Sequence, residues 1–326
     1  MIISKTPLRL SFFGGGSDYP SWYSKNRGEV ISSTIDKYVY INFKTIQNLL
    51  GYNYRIVYSK VENVKKISQI EHNVIREALK FYQLKDNYEI HYNGDLPARS
   101  GLGSSSSFIV GMINIILNLK KENISKNKLA EESIYMERNI LKETVGSQDQ
   151  VAASYGGFNN IIFYPNKKFK VEKNIISQNN LQKLNDNLVL IYTGKQRLAS
   201  DIAKSFSNKL QTTKKDTIKE ILTCVNECKK ILKSKSISDF GRLLDESWKI
   251  KKKLSNNIST LEIDDIYDKA LKSGALGGKI LGAGGGGFFL FYVNKEQQKY
   301  FLKKMKNFSN VDFRFENKGS ELIKIV

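Results

Sequence analysis

Residues 97–114 read PARSGLGSSSSFIVGMIN: two glycines and four serines set directly before an apolar run. The strand-like YEIHYN (88–93) precedes them, and SFIVGMINIILNLK (107–120) has the look of a helix. Serine side chains compete with the helical backbone for hydrogen bonds, so the serine run is expected to be loop. Glycines let a backbone take positive φ and approach a ligand closely. The N-terminus of a helix offers free N–H groups and the positive end of its dipole, which together bind anions. Strand, glycine loop and helix therefore predict a cradle for phosphate, with serine hydroxyls as extra donors. A Walker A loop is excluded, because no lysine follows Gly103, and Gly278-Lys279 is followed by Ile280. A dinucleotide fingerprint is excluded, because Ser106 stands where its third glycine belongs. The plain alternative is a cluster of N-cap serines on an ordinary helix.

The chain has 326 residues, enough for two domains. It has no uninterrupted apolar stretch long enough to span a membrane, and its N-terminus alternates like a strand rather than a signal peptide. A cytoplasmic protein without membrane partners is expected. Cys224 and Cys228, four apart in ILTCVNECKKIL, are too few for a disulfide framework. They lie far from His72 and His91 and read as filling on one face of a helix. Fifty-two Lys+Arg against 32 Asp+Glu give a net charge of +20. Such an excess raises nucleic acid as a partner. Here it is mostly scattered lysine, with no aromatic RNA signature, zinc-finger spacing or basic tail. Anionic small-molecule ligands, and no nucleic acid, are the expectation. The oligomeric state, monomer or homodimer, is left open.

Strand-like runs gather in the first half: MIISKTPLRLSFF (1–13), the paired runs of EVISSTIDKYVYINFKTI (29–46), NYRIVYS (53–59) and YEIHYN. Helical period dominates later, in DTIKEILTCVNECKKILK (216–233), SISDFGRLLDESWKIKKKL (236–254) and IDDIYDKALKSG (263–274). Segregated strands and helices predict an α+β fold. The polar stretch SQNNLQKLNDN (177–187) suits a boundary, giving domains 1–182 and 183–326.

Two more glycine loops flank the chain: TPLRLSFFGGGSDYP (6–20) and KILGAGGGGFFLFYV (279–293). With the loop at 97–114 they stand in the order and spacing of the three motifs of the GHMP kinase superfamily, which the whole chain resembles. STIDKYVY (33–40) and GSQDQVAAS (146–154) strengthen the likeness toward its anomeric sugar kinases. The resemblance implies an N-terminal domain like the second domain of ribosomal protein S5 and a ferredoxin-like C-terminal domain. It also implies transfer of phosphate from ATP, with Mg²⁺, to a sugar. The version of the motifs points to O1 of D-glycero-D-manno-heptose 7-phosphate, in the supply of nucleotide-activated heptose for surface glycans such as capsule or lipopolysaccharide. A fucokinase-like enzyme of a neutral sugar, or a non-catalytic sugar- or nucleic-acid-binding relative, would use the same fold.

Phosphoryl transfer asks mainly for positioning and charge stabilisation. By resemblance, Gly101, Gly103, Ser104, Ser105 and Ser106 would cradle the triphosphate. Ser105 and Glu137, in YMERNILKE, would hold Mg²⁺, with Glu143 the competing carboxylate. Asp149 would be the base toward the sugar hydroxyl, and Arg9 would keep it ionised and offset developing charge; Lys5 is a second basic candidate. Gly16, Ser17 and Asp18 would meet sugar hydroxyls, with Gly284 and Gly285 lining the site from the second domain. The sugar's own phosphate needs cations. Lys195 and Arg197, in YTGKQRLAS, are chosen for it, with Arg27 and Lys37 behind them.

Overall fold

Strand β1 (Ile2–Phe13) organises the molecule, and from Thr6 onward all its side chains are buried. A strand's side chains alternate between faces, so both faces of this one are covered. In the computed structural model, which describes residues 1–47, 49, 51–122, 124–196, 199–234 and 236–325, the elements run as follows. After β1 come α1 (Pro20–Tyr23), β2 (Gly28–Thr45), β3 (Tyr54–Val57), β4 (Val61–Val64), α2 (Asn73–Phe81) and β5 (Tyr88–Gly94). Then follow α3 (Ser104–Leu119), α4 (Lys126–Tyr135), α5 (Gln148–Tyr155), β6 (Phe158–Phe163) and β7 (Phe169–Glu172). The second half holds α6 (Gln178–Asn187), β8 (Leu188–Tyr192), α7 (Ala199–Ser207), α8 (Lys215–Lys233), α9 (Asp239–Lys252) and α10 (Leu261–Lys272). It ends with β9 (Gly277–Ile280), β10 (Phe288–Tyr292), α11 (Gln298–Lys304), β11 (Asn310–Val311), β12 (Phe315–Glu316) and β13 (Glu321–Lys324).

The paired runs of 29–46 form one 18-residue strand, β2, rather than two. The register shifts between Pro7 and Leu8 of β1, where two extra residues of β2 are accommodated without ending the strand. Around it grows a nine-stranded sheet with the path β13-β1-β2-β5-β3-β4, while β6 and β12 also pair with β2. The second sheet has four strands, ordered β11-β8-β10-β9, and all its pairs are antiparallel. The fold is α+β with these two sheets. Strand pairing does not follow a single cut after residue 182. The last strands return to the first sheet, where β12 joins β2 and β13 joins β1.

Helix α3 lies on β1 at very short range. A Cβ on Gly111 would come within 2.8 Å of both the Ser4 and Thr6 hydroxyl oxygens, and Ser107 Oγ donates to the Pro7 carbonyl at 2.8 Å. The second half contributes α8 and α9, which touch β1, and Phe240 of α9 packs edge-on against both Phe12 and Phe13. The site cleft opens where these layers meet. Cys224 and Cys228 are both buried on α8, consistent with packing.

Candidate active site

The glycine loop of 97–114 ends at Gly103, which caps α3 with φ +76°. The serines are not loop. Ser104 to Ser107 form the helix's first turn, and the first helical bond runs from Ser107 N to Gly103 O at 2.9 Å. The backbone-competing habit of serine is defeated because two hydroxyls have partners elsewhere. Ser107 bonds β1, and Ser106 Oγ donates to Glu137 Oε2 at 2.8 Å. The free N–H groups of that turn face a cleft of about 880 Å³, which Gly101, Gly103, Ser104, Ser105 and Ser106 all line.

Beneath the loop, Arg9 of β1 grips Asp149 in the first turn of α5. Arg9 Nε donates to Oδ1 at 2.7 Å and Nη2 to Oδ2 at 2.6 Å. Its third arm, Nη1, donates to the Gly101 carbonyl at 2.5 Å. The guanidinium is nearly buried, at 5 % exposure, while the carboxylate keeps 22 % and faces the cleft. Gly103 roofs the pair. A Cβ there would stand 3.2 Å from Arg9 Cγ and 3.3 Å from Asp149 Oδ2.

Glu137 lies in a single π-helical turn, Met136–Ile140, that continues α4. Such turns are frequent at functional sites, where the extra residue re-aims a side chain. The carboxylate is buried and takes hydrogen bonds from Ser106 Oγ and from Gln150 Nε2, the latter at 2.5 Å. Burial pushes its pKa up to about 7 against those two bonds, and the charge of Asp149 adds to the rise. The Gln150 Oε1 atom beside it is buried without a partner. A carboxylate short of positive charge, a hydroxyl and an orphan oxygen acceptor suit a hard cation. Among the described residues no group of three or more His, Cys, Asp or Glu gathers to hold a metal. The serine bonded to Glu137 is Ser106; Ser105 is exposed on the cleft lining and makes no such bond. Glu143 lines the cleft without such a bond.

The other expected residues divide. Asp18 is buried in the cleft wall. Its Oδ1 accepts from Gly16 N at 2.9 Å and its Oδ2 from Gln148 N at 3.3 Å. Burial raises its pKa to about 6, and Asp149 adds to the rise. Gly16 and Gly284 line the cleft, but Ser17 and Gly285 do not. The Ser17 hydroxyl is used within the fold, donating to the Gly14 carbonyl and accepting from Glu29 N. Lys195 stands outside the cleft with its Nζ paired to Glu262. Arg197 lies outside the described residues. Arg27 pairs with Glu29, Lys37 with Asp36, and Lys5 sits over the Tyr38 ring, so none faces the cleft.

Several cleft residues escape sequence reasoning. Lys251 and Lys279 enter it from α9 and β9. Lys279 opens the third glycine motif and was in view there; Lys251 is hidden in the lysine run KIKKKL. Tyr58, His72, Tyr92 and Phe108 line the first-domain end. Their rings form a continuous wall, with centroids 4.9 Å (Tyr58–His72), 5.2 Å (His72–Phe108) and 5.4 Å (Tyr92–Phe108) apart. Burial lowers the His72 pKa, which favours its neutral ring. The two halves meet at the glycines. A Cβ on Gly101 would fall 2.5 Å from the Leu281 carbonyl oxygen, and one on Gly282 would fall 2.7 Å from Gly101 Cα.

The family model described as GHMP kinases N terminal domain matches residues 68–157, and the one for GHMP kinases C terminal matches 228–310. A D-glycero-alpha-D-manno-heptose 7-phosphate kinase of Campylobacter jejuni is 30% identical over 98% of this chain and 97% of that one. The chain belongs to the GHMP kinases. Among further similar proteins, the bifunctional fucokinase/GDP-fucose pyrophosphorylase of Arabidopsis thaliana is 22% identical over 95% of this chain and 32% of that longer one. A solved structure of a D-glycero-D-manno-heptose 1-phosphate kinase from Bacteroides thetaiotaomicron superposes with a TM-score of 0.81 at 25% identity, over 100% of both chains. This GHMP kinase is a sugar kinase, and kinases of the family take their phosphoryl group from ATP. Among the described residues, no helix is long and apolar enough to cross a membrane.

Proposed function

We propose that this sugar kinase transfers the γ-phosphoryl group of ATP to O1 of D-glycero-D-manno-heptose 7-phosphate, giving the 1,7-bisphosphate and ADP. The observation that carries the reading is the Arg9–Asp149 fork at the cleft floor, directly under the Gly103 turn. The likeness to the Campylobacter enzyme supports the heptose. The phosphates lie along the first turn of α3, where N–H groups and the helix dipole meet negative charge. The adenine packs on the wall of Tyr58, His72 and Phe108, since an aromatic face suits a stacked base. Asp149 orients the O1 hydroxyl and accepts its proton, and Arg9 holds that carboxylate in place and offsets charge as the phosphoryl group moves. Asp18 meets the sugar hydroxyls. Ser106 and Glu137 would hold Mg²⁺, which would supply neutralisation of phosphate charge. The product feeds nucleotide-activated heptose for surface glycans, capsule or lipopolysaccharide, made in the cytoplasm.

Coupled ADP release tests the reading. The panel holds D-glycero-D-manno-heptose 7-phosphate, the corresponding 1-phosphate, sedoheptulose 7-phosphate, mannose 6-phosphate, mannose, fucose and galactose, with Asp149→Asn as blank. Turnover concentrated on the heptose 7-phosphate is expected. Turnover confined to fucose or another neutral sugar would overturn the substrate. Turnover of the 1-phosphate alone would move the reaction to another hydroxyl.

A further inference from the structure

Two lysines in the cleft have no acidic partner. Among the described residues neither Lys251 nor Lys279 forms an ion pair. Lys251 Nζ donates to the Ile280 carbonyl at 3.0 Å and the Gly282 carbonyl at 2.5 Å, and Lys279 Nζ donates to the Phe12 carbonyl at 2.5 Å. An ammonium has three N–H bonds, so one remains on Lys251 and two on Lys279. Lys279 is 4 % exposed and Lys251 is half-buried. Ser247 stands one turn before Lys251 on the same face of α9. It is 3 % exposed and lines the same cleft, and its hydroxyl makes no hydrogen bond within the described protein.

Burying an ammonium without a counter-charge is costly. Here the cost is compounded, because the charges that bear on Lys251 are the cations Lys279 and Arg9. Burial first, and then these neighbours, hold Lys251 well below the ordinary lysine range; burial and Arg9 bring Lys279 to about 8. Carbonyl oxygens solvate the two ammonium groups but do not neutralise them. An anion of about two charges would do so, and the three unused N–H bonds with the free hydroxyl are its donors.

The cluster also stands in the right place. The Gly282 carbonyl that holds Lys251 belongs to the loop packed on Gly101, whose carbonyl holds Arg9. The cluster therefore adjoins the reacting centre from the second-domain side, while the nucleotide cradle lies on α3. We infer that Ser247, Lys251 and Lys279 form the subsite for the phosphate the sugar already carries, a phosphomonoester dianion remote from the reacting hydroxyl. The inference rests on the phosphorylated-heptose reading above.

The test compares D-glycero-D-manno-heptose 7-phosphate with unphosphorylated D-glycero-D-manno-heptose in wild type, Lys251→Met, Lys279→Met and Ser247→Ala. Steady-state kinetics give the ratio of kcat/KM for the two sugars. Equilibrium binding of each sugar, with a non-hydrolysable ATP analogue filling the nucleotide cradle, gives the same ratio without chemistry. Removal of each ammonium is expected to cut the wild-type preference for the phosphorylated sugar by about tenfold or more, mainly through KM. Ser247→Ala, the mildest change, keeps the test alive if a lysine variant fails to fold, and is expected to cut it by a smaller factor. Variants that keep the wild-type preference would overturn the subsite while leaving the substrate reading intact. An equal fall in kcat for both sugars, with binding preference intact, would also overturn it, by assigning the lysines to the transferred phosphoryl group. A wild type with no preference would defeat the substrate reading and the subsite together.

Discussion

Arg9 and Asp149 meet in a two-bond fork, at 2.7 and 2.6 Å, across 140 positions of sequence. The bidentate geometry fixes the carboxylate in both position and tilt. The remaining arm of Arg9 on the Gly101 carbonyl ties that carboxylate to the glycine loop. The carboxylate proposed to meet the sugar and the loop proposed to meet the phosphates are therefore parts of one unit, and a disturbance of either reaches the other.

Asp149→Asn keeps the size of the side chain but removes the proton acceptor and one bond of the fork, because its NH2 would face an Arg9 N–H. We expect kcat to fall by about 10²–10⁴-fold while the affinity for ATP changes little. Arg9→Lys keeps the charge but cannot make the fork and should also lose most of kcat. A large rise in the ATP Kd with kcat preserved, measured by nucleotide titration and steady-state rates, would contradict the roles given to both.

Gly101 and Gly51 share left-handed backbones, at φ +86° and +76°, but differ in surroundings. A Cβ on Gly51 meets nothing within 4 Å, whereas one on Gly101 meets the Leu281 carbonyl oxygen at 2.5 Å. Gly51→Ala should cost about 1 kcal/mol of stability, from backbone conformation alone. Gly101→Ala should cost more, and should depress kcat by moving the carbonyl that holds Arg9. Denaturant titration and rate measurement on both variants check this. Equal effects would mean that the contact between the two halves is unimportant.

Ser106, bonded to Glu137, is assigned to Mg²⁺ ahead of exposed Ser105. The Mg²⁺ concentration at half-maximal rate should rise more in Ser106→Ala than in Ser105→Ala. The reverse order would restore the reading made from sequence.

Asp18 titrates against its own burial, with a pKa raised from 3.8 to about 6. A carboxyl whose pKa rises on folding costs nothing while protonated; the cost grows as pH climbs from the unfolded value to the folded one. Wild-type stability should thus fall relative to Asp18→Asn between pH 4 and pH 7, by about 3 kcal/mol. The variant should bind sugar weakly throughout. A stability difference that does not change with pH would show that the carboxyl is not perturbed.

Much of the site was legible because glycine signals backbone necessity. The three glycine motifs led to Arg9, Asp18, Gly101, Gly103 and Gly284, all of which line the cleft. Hydroxyl roles were less legible. Four serines in a row look alike until the helix phase is known, and that phase turns Ser106 toward Glu137 and leaves Ser105 exposed on the cleft lining. Ser17 sits in a matching motif but spends its hydroxyl on Gly14 and Glu29. Cations were least legible, because 52 basic residues give no contrast. Lys195 was chosen for its loop, yet pairs with Glu262, while Lys251 and Lys279 are distinguished only by burial without carboxylates. In the fold, period gave the strands and helices. The return of β12 and β13 to the first sheet depends on long-range pairing that no local pattern carries.

The most direct measurement is ³¹P NMR of the product formed from Mg-ATP and D-glycero-D-manno-heptose 7-phosphate, with the Asp149→Asn enzyme alongside. The account predicts a second phosphomonoester signal, coupled to the anomeric proton, in the wild-type reaction and absent from the variant. A new phosphorus signal coupled to any other proton, or one of equal size from the Asp149→Asn enzyme, would contradict it.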